Sequence, residues 1–165
     1  LAAFQDPNPV MFFEHKFLYR SLTGSVPEGY YTTEIGKAKH VRSGEDASII
    51  TYGLGVQWAM RVQEEFPDHS FDIIDLRTLA PLDMDAVVES VQRTGKVLVL
   101  HEDSLTGGIG AEIAARINEA RFEFLDAPVV RCASIDTPVP FAAVLEEQFL
   151  AMNRLEERLR HLLDY

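Results

Sequence analysis

From Asp46 onward, short apolar runs alternate with amphipathic helical patterns, and this alternation constrains the fold more than any other feature. The apolar runs are "ASIITYG" (Ala47 to Gly53), "FDIIDL" (Phe71 to Leu76), "KVLVLHE" (Lys96 to Glu102) and "APVVRCAS" (Ala127 to Ser134). Each is short, rich in β-branched residues and bounded by turn residues, so each reads as a buried strand. The intervening patterns predict helices over Val56–Phe66, Pro81–Gly95 and Ile109–Ala120, and a last one over Phe149–Leu163. In the second, Asp83 is placed to cap the start, Val87, Val88 and Val91 give the apolar stripe, and Gly95 is placed to stop it. In the last, Met152, Leu155, Leu159 and Leu162 form the stripe, and Glu156 and Arg160 lie one turn apart. Strands buried on both faces and joined by helices imply an α/β fold in three layers, with a mostly parallel sheet and right-handed crossovers.

The first 45 residues read differently. "PVMFFEH", Pro9 to His15, is a compact apolar run expected to be a buried strand. "LTGSVPEGYY", Leu22 to Tyr31, has the Gly, Ser and Pro content of a loop or linker. "GKAKHVRSG", Gly36 to Gly44, reads as an edge strand whose Lys37, Lys39 and Arg42 discourage pairing with another chain. Turning tightly into Ala47–Gly53, it would give the sheet an antiparallel edge. The chain begins at Leu1 rather than Met, in what reads as the end of an element, so a piece of a longer protein is expected.

Charge narrows the partners. The formal net charge of −11 repels nucleic acid and anionic membrane and attracts a basic protein. Cys132 is the only cysteine, so no internal disulfide forms, which suits a reducing, cytoplasmic setting.

One stretch looks like a nucleotide site. In "HEDSLTGGIGAEIAARI", His101 to Ile117, a strand leads into glycines and then a helix. A dinucleotide fingerprint needs a third glycine, and after Gly108-Ile109-Gly110 come Ala111, Glu112 and Ile113. There is no Walker lysine, and Glu102, Asp103 and Glu112 would repel phosphate. Tight turning and close helix packing explain the glycines better. His101 and Glu102 read as a hydrogen-bonded pair at a strand end, since no spacing completes a zinc site. The other four histidines, His15, His40, His69 and His161, have no sequence-local partner that suggests chemistry. Asp75 and Arg77 read either as ligand groups at the sheet's carboxyl edge or as a structural ion pair, with Pro81 at a helix start. Cys132, inside an apolar strand, reads as inert core. A stand-alone α/β nucleotide or small-ligand domain, using the glycine loop and Asp75, is the alternative reading of these features.

Taken together, "NPVMFFEHKFLYR", "VPEGYYTTEIGKAKHVRSGEDASIITYG", "IDLRTLAPLDMDAVVESVQRTGKVLVLHE", "TGGIGAEIAARI" and "DAPVVRCASIDTPVPFA" resemble the E1 beta subunit of 2-oxo acid dehydrogenase complexes, of the pyruvate or branched-chain type. The likeness covers nearly the whole chain. It implies that residues 1–20 are the tail of a pyrimidine-binding domain, 21–45 a linker and edge strand, and 46–165 a C-terminal domain like that of transketolase. It further implies a parent enzyme that uses thiamine diphosphate and magnesium to decarboxylate a 2-oxo acid and acylate a lipoyl group on E2. The family's catalytic glutamate and its diphosphate and metal motifs do not occur in these residues, so the resemblance assigns no catalytic, cofactor or metal residue here and no cofactor to this stretch alone. What it does imply is assembly: contacts with the E1 alpha part and a second E1 beta unit, and docking of the basic E2 peripheral subunit-binding domain. Asp126 and Tyr165, with its carboxylate, are the candidates for that docking.

Overall fold

The computed structural model describes residues 1–165. Five strands form one sheet: β1 (Lys39–Arg42), β2 (Ala47–Thr51), β3 (Phe71–Asp75), β4 (Val97–Ser104) and β5 (Val130–Ser134), in the order β1-β3-β2-β4-β5. The β3–β2, β2–β4 and β4–β5 pairings are parallel, and β1 joins β3 antiparallel. The helices are α1 (Ala2–Gln5), α2 (Leu18–Ser21), α3 (Leu54–Gln63), α4 (Met84–Thr94), α5 (Ile109–Arg121), α6 (Ala143–Phe149) and α7 (Met152–Leu163). No helix is long and apolar enough to cross a membrane.

Every residue of β2 is buried, and its successive side chains feed opposite faces. Ile49, Ile73, Leu98 and Leu100 point to the layer containing Trp58 and Val62 of α3 and Leu155, Leu159 and Leu162 of α7. Ile50, Ile74, Val97 and Val99 point to Val87 and Val91 of α4 and Ile113 and Ile117 of α5. The expected three layers are present, with a core on each side of the sheet.

The edge strand differs from expectation in its partner. It does not form a hairpin with the next strand, because β2 has β3 on one side and β4 on the other. β1 therefore runs beside β3, with Lys39 opposite Asp75 and His40 opposite Ile74. The far edge, β5, is covered: Arg154 Nη2 donates to the Ala133 carbonyl at 2.9 Å, and the Ile135 N–H donates to the Phe149 carbonyl at 3.3 Å.

Two other expectations are corrected. "PVMFFEH" forms no strand, and Met11, Phe12 and Phe13 are exposed at 78%, 75% and 86%. No sheet edge within the chain pairs with it, so its apolar side chains have nothing to pack against. The last helix starts at Met152 rather than Phe149, because Leu150 is extended (φ −65°, ψ 140°), and a further short helix, α6, precedes it.

α4 follows its sequence signals. Gly95 adopts φ 67° as the left-handed stop, and the Asp83 side chain accepts the Ala86 N–H at 3.4 Å as the cap. Pro81 lies outside this helix, which starts at Met84. Asp83 also accepts the Ala38 N–H at 3.0 Å and lies 3.6 Å from Lys37 Nζ, so one carboxylate ties the approach to β1 to the start of α4. Burial pushes its pKa up, but these donors more than offset that and leave it lowered. Its stabilising effect is therefore complete above the unfolded value of about 4 and is lost as pH falls through the lower folded value. Asp83→Ala is expected to cost about 2–3 kcal/mol at neutral pH in urea unfolding, the sum of a lost cap and a stranded N–H, and to flatten the acid limb of the stability–pH curve.

Candidate functional site

The glycine loop between β4 and α5 is filled from within the chain. His101 is fully buried, and its ring lies against the backbone of Gly108 and Gly110. A Cβ on Gly110 would meet the imidazole Nε2 at 2.5 Å, and one on Gly108 would meet its Cε1 at the same distance. The imidazole therefore occupies the space that side chains at Gly108 and Gly110 would need. Neither ring nitrogen has a hydrogen-bond partner, and burial lowers the His101 pKa against the opposing pull of Asp103. No group of three or more His, Cys, Asp or Glu side chains is placed to hold a metal ion. These side chains thus offer no ligand set for magnesium.

His101 does not pair with Glu102. Neighbours on a strand point to opposite faces, so His101 turns inward and Glu102 outward. Glu102 Oε2 instead meets His15 Nε2 at 2.9 Å, a contact across 87 positions that no local pattern reveals. Tyr52, packed against the core beneath α4 and α5, has its hydroxyl pushed up in pKa by burial and by the nearby Asp103 and Glu102 charges. Two segments far apart in sequence, the "FFEHK" stretch and the end of β4, are thereby tied together.

At the carboxyl end of β3, Asp75 accepts the Arg77 N–H at 3.1 Å. The bond is to the backbone, not to the guanidinium, and it closes a turn in which Arg77 adopts φ 56°. Burial raises the Asp75 pKa, with Arg77 and Lys39 opposing. Cys132 is buried and its thiol is pushed up to about 11, mainly by burial, which makes it a poor nucleophile.

The two docking candidates lie at the opposite, amino end of the sheet. Asp126 is exposed, its N–H donates to the Gly95 carbonyl at 2.8 Å, and its carboxylate lies against the Gly95 α-carbon. Lys96 Nζ donates to the Leu163 carbonyl at 2.9 Å, which anchors the end of α7. Tyr165 is 59% exposed, with its ring edge-on to His161 at 5.4 Å. The Gly95–Lys96 turn therefore holds both the Asp126 loop and the C-terminal segment.

A family model described as the transketolase C-terminal domain matches residues 36–154. The chain belongs to that family. It is 42% identical over 168 residues to the 2-oxoisovalerate dehydrogenase subunit beta of Bacillus subtilis, covering 99% of this chain and 51% of the relative. It is 43% identical over 144 residues to the pyruvate dehydrogenase E1 component subunit beta of the same organism, covering 86% and 44%. The domain also superposes on a split-gene transketolase solved as an inactive beta4 tetramer, with a TM-score of 0.68 and 26% identity over 84% of this chain and 46% of that one. The chain spans about half the length of the curated relatives it matches. The resemblance to E1 beta subunits holds over the whole of these 165 residues, and pyruvate-type and branched-chain-type relatives match about equally.

The loop's role as packing is directly testable. Alanine is the better helix former, yet Gly110→Ala is expected to destabilise the domain by about 1–3 kcal/mol in denaturant titration through overlap with His101. Adding His101→Ala is expected to recover part of that loss. Additive effects of the two substitutions would show that ring and glycine do not interact.

Proposed function

We propose that the chain is the C-terminal assembly domain of a thiamine diphosphate-dependent 2-oxo acid dehydrogenase E1 component, serving subunit contacts and E2 docking. In the intact enzyme, oxidative decarboxylation of the 2-oxo acid and acyl transfer to lipoyl-E2 take place on other parts, where thiamine diphosphate and magnesium are held. The stretch up to Arg20 belongs to the preceding pyrimidine-binding domain, residues 21–45 link it and add the edge strand, and residues 46–165 form the domain proper. The setting is cytoplasmic, and these residues alone are inactive.

The observation that carries this reading is likeness to E1 beta subunits along the whole of this chain, in a domain whose nucleotide-like loop packs its glycines on its own histidine. Exposed Met11, Phe12 and Phe13 support subunit contact, since unpartnered apolar clusters mark interfaces with the E1 alpha part, the second beta unit or the rest of the pyrimidine domain. Asp126 supports docking of the basic E2 module, since it is exposed, held beside the Gly95–Lys96 turn and negatively charged, and the exposed Tyr165 lies at the same end of the sheet.

Calorimetric titration with an E2 peripheral subunit-binding domain, at low and high salt and with the oligomeric state measured alongside, tests the docking. Salt-sensitive binding to a dimer is expected, with about tenfold loss of affinity for Asp126→Asn or on deletion of Tyr165. Asparagine keeps the shape against Gly95, so a loss there reports the charge. Unchanged affinity in both variants would move docking elsewhere, and no binding by the dimer would end the proposal.

A further inference from the structure

Packing alone does not account for a histidine at position 101. The ring is fully buried in β4, and neither of its nitrogens has a hydrogen-bond partner. A neutral imidazole brings one donor and one acceptor, and leaving both unpaired in the interior is unfavourable. Methionine or leucine would fill the space against Gly108 and Gly110 without that cost. What the imidazole adds to the interior is a group that changes charge in the physiological pH range.

The surroundings oppose that charge. The ring lies on the side of the sheet that carries Val97 and Val99, beneath α5. It rests on Gly108 and Gly110, at the start of α5, and no side chain caps this 13-residue helix. The free N–H groups there give the helix start a partial positive charge, which disfavours an imidazolium beside it. Four ionisable side chains belong to the elements around the ring. Asp103 of β4 favours the charged form and Arg131 of β5 opposes it, but burial outweighs both and lowers the pKa. Tyr52, just after β2, stays protonated because burial pushes its pKa up. Glu112, in the first turn of α5, is exposed and accepts from Arg116 Nε at 2.6 Å. Glu102 points away, to His15. The loop above the ring is also a junction: the Leu105 N–H donates to the Ser134 carbonyl at 3.0 Å, Arg131 Nη1 donates to the Leu105 carbonyl at 3.1 Å, and the Thr106 N–H donates to Asp136 at 2.8 Å. The glycine loop thus ties the end of β4 to β5 and the segment after it.

We propose that His101 is a pH-sensitive catch for the glycine loop: neutral, it seats Gly108 and Gly110 and keeps the junction closed; protonated, it is driven toward water and frees residues 105–110. The opened chain binds the proton more readily than the seated ring does. The closed junction is therefore fully stable above the ordinary imidazole value of about 6.5 and weakens as pH falls below it.

The test is hydrogen exchange of the whole chain at pH 7.5 and 5.5, corrected for the intrinsic pH dependence of exchange and read by mass spectrometry. Protection of peptides spanning residues 105–111 is expected to fall about tenfold, since one proton taken up on opening gives tenfold per pH unit. In His101→Met the same peptides are expected to keep their protection at both pH values, because methionine fills the space and cannot charge. An acid titration of the unsubstituted chain by NMR reads the ring directly. Its nuclear Overhauser contacts with the Gly108 and Gly110 α-protons are expected to vanish as the ring resonances titrate. Protection unchanged with pH, an equal loss in His101→Met, or a protonated ring still in contact with both glycines would overturn the proposal.

Discussion

Everything in this domain hangs on β2. It is flanked on both sides by parallel partners and buried on both faces, so none of its backbone or side chains faces water. A strand in that position must pair all its N–H and C=O groups within the sheet and cover two apolar faces with helices. The order β3-β2-β4 follows, and with it the placement of α3 and α7 on one side and α4 and α5 on the other. It also forces the preceding segment away from β2 and onto the outer side of β3.

The interior is not wholly apolar, and the exception is organised. Asp72 is buried in β3 and pairs with Arg93 and the Ser90 hydroxyl, both of α4, with His40 of β1 at 3.6 Å. Ser48 of β2 bonds to Ser90 at 2.6 Å and to Thr94 at 2.7 Å. This network links three strands to the polar seam of α4. A buried carboxylate of this kind stabilises little in net terms, yet removing one partner strands the other, so it fixes how α4 sits on the sheet.

Much of the helix-capping and loop geometry was legible from local pattern. Asp83 and Gly95 carry their signals as a cap residue and a glycine after a periodic run, and both work as read. The missing third glycine and the acidic neighbours pointed to a packing role for the loop, and the His101 imidazole against Gly108 and Gly110 is that packing. The His15–Glu102 contact was not legible, because the two residues lie 87 positions apart and no spacing rule relates them.

The sequence by itself determined the layers, because periodicity is a local property: alternate burial along each strand and a stripe along each helix leave one architecture that covers them. It also determined where α4 begins and ends, since caps act within a single turn. Only the tertiary structure decided the strand beside which β1 lies, the extended Leu150 that separates α6 from α7, and the fate of "PVMFFEH". These depend on which sheet edges are already taken and on what is left to cover an apolar face. That is settled by the assembled sheet and not by any segment's own pattern.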